Sequence, residues 1–252
     1  VQADYARRYR TLWERHWWWR SREAYLLGWL ERLRLSPSGS DGAPRILDVG
    51  CGDGLFFERL ERFGRVEGVE PDPGLVTDPR WRDRITIAPL DPGVLPRDTY
   101  DLVLMLDVLE HIADDRAALD EIRSALRPGG HLLLTVPALR MLWSRHDEVN
   151  EHFRRYDRRG LTQLLGSAGF EVRDVRYFFA WTVGPLLLRR WLSPPGGDGR
   201  RQLAADAAAT VPPPPLNRFL TALSLGDHAL GRLVRWPAGS SLFALARVGH
   251  NG

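Results

Sequence analysis

The stretch Ile46-Leu47-Asp48-Val49-Gly50-Cys51-Gly52-Asp53-Gly54 decides the fold. A short apolar run ends in three glycines spaced by single residues, and residues 55–63 beyond them have helical spacing. At the carboxyl end of a strand, glycines let the backbone turn tightly and come close to a ligand. The spacing Gly-x-Gly-x-Gly differs from the Gly-x-Gly-x-x-Gly of dinucleotide-binding turns. Asp48 beside the loop would repel a pyrophosphate and suits a ligand that carries an ammonium group. Glu70 ends a second short strand, residues 66–70, and can accept two hydrogen bonds from the hydroxyls of a ribose. An adenosyl ligand with a cationic amino-acid tail fits these groups better than a nicotinamide dinucleotide does.

Outward from that stretch the apolar pattern keeps alternating in type. Residues 85–88 form a weak strand, and the unbroken apolar run 102–106 suits burial on both faces of a parallel sheet. Residues 115–126 place Ala118, Leu119, Ile122 and Leu126 on one helical face, and Arg127-Pro128-Gly129-Gly130 stops that helix before the strand 131–136. A short helix at 161–168, a strand at 170–178, an amphipathic helix at 216–234 and a last strand at 241–248 follow. Strands alternating with helices imply an α/β fold with a parallel sheet. Upstream, residues 5–35 read as one helical stretch rich in Arg, Trp and Leu, and Pro37, Gly39, Gly42 and Pro44 mark a linker. Residues 193–215, with Pro194-Pro195-Gly196-Gly197 and four prolines at 212–215, read as a second linker.

The composition of the 252 residues, 44% hydrophobic and 27% charged, is that of a globular chain. All 35 basic residues are Arg, and the formal charge is only +3. Without Lys there is no Schiff-base chemistry, no lysine general base and no Gly-Lys-Ser/Thr phosphate loop. One Cys excludes an intramolecular disulfide and a multi-cysteine metal site, and it favours a reducing, cytoplasmic setting. No run reaches the roughly 18 apolar residues of a membrane span. Residues 1–10 lack the apolar core of a signal peptide.

The segment Ile46 to Gly54 resembles the first motif of the class I S-adenosylmethionine-dependent methyltransferases, and Glu70 sits where that family has its ribose-binding acid. Tyr100-Asp101-Leu102-Val103 with Leu106-Asp107-Val108-Leu109-Glu110-His111 is similar to its fourth strand and following loop. Leu126-Arg127-Pro128-Gly129-Gly130 is similar to the turn before its fifth strand. The resemblance covers residues 45–178 and extends to the final strand. It implies a Rossmann-like seven-stranded sheet of order 3-2-1-4-5-7-6 with strand 7 antiparallel, and S-adenosylmethionine as cofactor, converted to S-adenosylhomocysteine. It also implies cofactor contacts from Asp48, Gly50, Cys51, Gly52, Glu70, Pro71, Leu90, Asp91, Asp107 and Val108, with Cys51 equally read as loop packing.

Some members of the family, among them ubiquinone-pathway and small-RNA O-methyltransferases, have Glu-x-x-Glu-His where this chain has Asp107-x-x-Glu110-His111, and bind Mg²⁺ or a similar ion there. Three readings stay open for this chain. Glu110 caps a helix and His111 supports the pocket wall, or Asp107, Glu110, His111 and His152 hold a metal, or His111 is a metal-free general base. His146 and His152 follow the fifth strand and are the next candidates for proton transfer, with Asp147 beside them. Arg154, Arg155 and Tyr156 are candidate substrate contacts, since guanidinium groups bind acids bidentately; the alternative is a solvated connection.

At the N-terminus, His16-Trp17-Trp18-Trp19 resembles a segment of a bacterial subgroup in which such helices cover the cofactor. That implies a helical lid over residues 1–40 on a methyltransferase domain over 41–252, with Arg22 pairing the methionine carboxylate. Trp17 and Trp18 either face the substrate or simply dock the helix. The insertion 179–240 between the last two strands is rich in Trp and Leu. Its expected roles are cover for an apolar acceptor pocket, then a homodimer interface, then a peripheral membrane contact. The expected activity is methyl transfer to a small-molecule acceptor, most readily at oxygen. A nucleic-acid methyltransferase is the alternative, disfavoured because Arg is interleaved with acids and the net charge is low. A non-methylating S-adenosylmethionine-binding cyclase, lyase or partner subunit is the third reading.

Overall fold

A computed structural model describes residues 2–35, 42–192 and 210–249. The linker residues 36–41 and most of the second linker, 193–209, lie outside the described residues. Among the described residues, seven strands make one sheet of order β3-β2-β1-β4-β5-β7-β6. They are β1 (Arg45–Val49), β2 (Arg65–Glu70), β3 (Ile85–Ile87), β4 (Tyr100–Leu106), β5 (Leu126–Pro137), β6 (Phe170–Phe178) and β7 (Ser241–Val248). β1 pairs in parallel with β2 and β4, and β4 with β5. β7 runs antiparallel to both β5 and β6. The expected topology is the observed one.

Side chains alternate across each central strand and feed two apolar layers. Leu47, Val49, Val103 and Met105 face the layer that includes Leu119 and Ile122 of helix α4 (Asp115–Ala125). The same layer takes Leu161 and Leu165 of α6 (Arg158–Ser167). Ile46, Leu102 and Leu104 face the other layer. There they meet Leu26 and Leu30 of α2 (Trp17–Leu30) and Phe57 and Leu60 of α3 (Phe57–Leu60). Burial on both faces explains why these strands read as unbroken apolar runs.

Four expectations need correction. The N-terminal stretch is two helices, α1 (Gln2–Arg15) and α2, because His16 leaves the helical region and its ring accepts a hydrogen bond from the Trp18 amide. Only Phe57–Leu60 of the expected 55–63 helix is helical. Arg127-Pro128-Gly129-Gly130 does not precede β5 but lies in it, with a register shift opposite Tyr100 and Leu102. Glu110 caps no helix, since it sits in a 3-10 turn (Leu109–His111) and the α4 cap is Asp114. After β5 come α5 (Arg145–Val149) and α6, and after β6 come α7 (Val183–Leu192) and α8 (Pro214–Gly231). Among the described residues, no helix is long and apolar enough to cross a membrane.

Candidate active site

The loop after β1 needs its glycines. Gly50, Gly52 and Gly54 have φ of +69°, +54° and +66°, a region that side-chain-bearing residues rarely adopt. A Cβ on Gly50 would lie 2.5 Å from Val108 Cγ2, so the loop and the end of β4 are in contact. The Gly50 amide donates to the Val69 carbonyl at 2.8 Å, which ties the loop to β2. Glu70 completes the tie. Its two carboxylate oxygens accept from the Gly52 amide at 2.9 Å and the Asp72 amide at 3.0 Å. Burial raises the Glu70 pKa, and those two amides oppose the shift. Asp48 is buried at the end of β1, and burial lifts its pKa to about 7 against the pull of Arg22. Burial also pushes the Cys51 thiol up, so Cys51 packs as an un-ionised side chain. Pro71 and Asp91 are exposed nearby, and Leu90 is half-buried against the first apolar layer.

Arg22 reaches this region from α2 and is only 2% exposed. One terminal nitrogen donates to Thr135 Oγ1 at 2.6 Å and pairs with Asp107 Oδ2 at 2.8 Å. Thr135 in turn donates to Asp107 Oδ1 at 3.1 Å. Asp107 holds a φ of +58° at the end of β4, an unfavourable conformation for a non-glycine residue that these contacts and its amide bond to the Thr135 carbonyl maintain. Thr135, not singled out in the sequence, links α2 to the sheet. The available signal was a lone hydroxyl within the apolar run 132–136.

Trp17 and Trp18 are half-buried packing groups in this structure. Trp18 stacks on Phe179 with ring centroids 5.8 Å apart, and Trp17 meets Trp181 at 5.4 Å. Trp19 turns the other way, toward Trp13 and Tyr9. Three consecutive indoles thus split between two surfaces, as helical spacing demands.

The acid and histidine cluster converges beside Asp107. The Phe153 amide donates to the Glu110 carbonyl at 2.8 Å, which draws the segment after α5 onto the turn after β4. Glu110, His111 and His152 offer ligand atoms that all lie within 4.8 Å of one another. Glu110 is fully buried, and neither carboxylate oxygen has a hydrogen-bond partner among the described residues. Burial and the nearby Asp107 raise its pKa well above the usual carboxylate range. Burial and the neighbouring His152 lower the pKa of His111, and burial lowers that of His146. Both rings are therefore neutral near pH 7, and the His146 ring is in hydrogen-bond contact with the Asn150 side-chain amide at 3.2 Å.

Asp147 fixes His152. Its Oδ1 lies 3.0 Å from His152 Nδ1, which leaves Nε2 for the cluster. Burial alone would raise Asp147, but the hydrogen bonds from His152 and Arg155 outweigh it and hold the carboxylate well below its ordinary range. The capping box at Ser144 adds two more donors to the same carboxylate. His146 lies at the rim, its ring centroid 6.2 Å from that of His152.

The expected substrate contacts Arg154, Arg155 and Tyr156 all have partners within the chain. Arg155 grips Asp147 with two nitrogens, at 2.7 and 3.0 Å, and donates to the Ala138 carbonyl with a third. Arg154 pairs with Asp115 at 2.6 Å, and the Tyr156 hydroxyl donates to the same carboxylate at 3.0 Å. A guanidinium already paired bidentately with a buried acid has no fork left for a substrate. Asp107, a fourth candidate ligand by resemblance, is likewise taken by Arg22 and stands outside the close group.

Comparison with known proteins agrees with this fold. A family model described as a methyltransferase domain matches residues 18–175. A Mycolicibacterium smegmatis protein named "Probable S-adenosylmethionine-dependent methyltransferase" is 33% identical over 168 residues, 64% of this chain and 62% of that protein. A Bradyrhizobium ubiquinone biosynthesis O-methyltransferase is 34% identical over 110 residues, 39% of this chain and 41% of its own length. The matches thus span less than two thirds of these relatives. Among solved structures, a chain from the Haloferax volcanii complex with the Trm112 methyltransferase activator superposes with a TM-score of 0.61 at 16% identity, covering 99% of this chain and 96% of that one. At that identity the likeness shows the fold.

Proposed function

The chain belongs to the methyltransferase-domain family, the class I S-adenosylmethionine-dependent methyltransferases, and from that premise we propose that it methylates an oxygen of a small-molecule acceptor. The observation that carries the oxygen assignment is the partnerless, buried Glu110 carboxylate beside His111 and His152. An oxygen acceptor must lose a proton as it attacks a methyl group, and the histidines that Glu110 adjoins offer ring nitrogens for it at the carboxyl edge of the sheet. The similarity to ubiquinone biosynthesis O-methyltransferases points the same way.

S-adenosylmethionine, when bound, supplies an electrophilic methyl on a sulfonium. In this reading Glu70 receives the ribose hydroxyls, and Gly50 and Gly52 permit close approach of the tail. Asp48 attracts its ammonium. Pro71, Leu90, Asp91 and Val108 border the adenosyl end and the methyl. α1 and α2 act as the lid, through which Arg22 sets Asp107 at the end of β4. His152, oriented by Asp147, takes the acceptor proton, and His111 and His146 shape the approach. Holding the acceptor in line with the methyl supplies much of the acceleration.

The close group also fits a divalent ion, because it pairs an orphaned carboxyl group with two imidazole rings. Glu110, His111 and His152 would hold it, and it would lower the pKa of the acceptor hydroxyl. Two nitrogen donors and one oxygen suit a transition ion such as Zn²⁺ better than Mg²⁺.

The test uses S-adenosylmethionine labelled in its methyl group, with a panel of phenols, catechols, sugars and carboxylic acids as acceptors. The expected product is a methyl ether or ester, with S-adenosylhomocysteine released in equal amount. Label appearing on nitrogen or carbon acceptors instead would remove the oxygen assignment.

A further inference from the structure

Helix α8 is amphipathic the wrong way round for a helix packed on a water-soluble core. Its inward stripe, at 217, 220, 221, 224, 227, 228 and 231, follows the helical period but holds Leu220 as its one large apolar residue. Ser224 and His228 are the buried members. Leu216, Phe219, Leu223, Leu225 and Leu230 are all exposed, Phe219 by 61%. A surface helix ordinarily does the reverse, with the apolar stripe inside and polar groups in water. Helix α7 shows the same inversion. Leu186, Leu188, Trp191 and Leu192 are exposed, Trp191 by 79%.

Both helices attach to the same short turn, Ala180–Thr182: α7 continues directly from it, and Ser224 of α8 accepts a hydrogen bond from Trp181 Nε1 at 3.2 Å. Arginine dominates their charge. Residues 183–192 and 210–237 contain five Arg and one acid, Asp227, which is half-buried and accepts from the Ala180 amide. Arg190 donates to main-chain carbonyls, and Arg235 lies 3.6 Å from Asp174. Residues 193–209, between the helices, contain a single large apolar residue, Leu203, too little to cover this surface.

We propose that α7 and α8 form a docking surface for an anionic lipid bilayer. Exposed apolar side chains on helices that also carry the exposed Arg189 and Arg218 match both parts of such a surface, the acyl boundary and the negative headgroups. A second copy of the chain matches only the first part, because a two-fold contact would set the same arginines against each other. The surface also adjoins the lid. Asn217 of α8 accepts from the Trp17 amide at 2.9 Å and donates to the Arg15 carbonyl at 2.8 Å, so it clasps the break between α1 and α2.

The experiment is flotation of the protein with vesicles of phosphatidylcholine and of an equal mixture with phosphatidylglycerol. The expected result is at least about tenfold more protein on the mixed vesicles, reduced by high salt. Trp191 fluorescence should shift to shorter wavelength on binding. The exposed substitutions Phe219→Ser with Leu223→Ser should abolish binding while leaving the melting temperature and S-adenosylhomocysteine affinity unchanged. Arg189→Gln with Arg190→Gln should remove the preference for the anionic vesicles. Absence of binding to either vesicle overturns the proposal. So does equal binding to both, or a dimer on light-scattering that Phe219→Ser dissociates.

Discussion

Glu110→Gln is expected to lower kcat by about 10²- to 10⁴-fold, the range over which a positioned proton-transfer group contributes, with S-adenosylmethionine affinity unchanged. Gln keeps the volume of the side chain, so the turn after β4 still packs. It removes the ionisable oxygen that faces His111 and His152. His152→Ala should cost a similar factor, and the double variant little more than either alone, because groups that act as one unit are not additive. Asp147→Asn tests the positioning role. It should lower kcat less than His152→Ala and move the pH profile, since an amide no longer holds the His152 ring by charge. Full activity in Glu110→Gln would reduce the cluster to packing. Loss of activity on treatment with a chelator, recovered with Zn²⁺ or Mn²⁺, would assign the cluster to metal binding. Retained activity would leave His152 as the base.

Glu70→Ala is expected to weaken S-adenosylmethionine binding by roughly 30- to 150-fold, about 2–3 kcal/mol, the worth of hydrogen bonds to a charged group. The ribose would lose its acceptor, and the loop would lose the carboxylate that joins the Gly52 and Asp72 amides. Asp48 adds a pH dependence. Its pKa in the folded chain is about 7, raised chiefly by burial, so it holds its proton in mildly acid solution and ionises as pH rises through neutrality. An ammonium tail is attracted only to the ionised form. Affinity should therefore increase from about pH 6 to about pH 7.5, and Asp48→Asn should flatten that slope. The same shift acts on stability with the opposite sense. A carboxyl that binds its proton more tightly when folded contributes stability below its unfolded pKa that is lost as pH rises toward about 7. Calorimetric titration across this range measures both effects.

The central strand β4 was legible because burial on both faces leaves an unbroken apolar signature, and residues 170–178 and 241–248 match β6 and β7 end to end. The glycine loop was legible because positive φ demands a particular residue type, and Glu70 because an acid at the end of the second strand stands out. The break at His16 was not, since a Trp- and Arg-rich run has helical spacing on both sides of it. Long-range pairing was hidden as well. Nothing local to Arg155 shows that Asp147 will accept from two nitrogens of its guanidinium, or that Asp115 will hold Arg154 and Tyr156. The period of α8 was readable, but not which side faces the protein. That depends on its inward polar stripe meeting Trp181 and the start of α2.

The direct test of the account is a crystal structure with S-adenosylhomocysteine bound. The ribose is predicted on Glu70, the amino-acid tail beside Asp48, and the sulfur turned toward Glu110, His111 and His152. A sulfur facing away from that cluster, or a ligand bound elsewhere on the sheet, would contradict it.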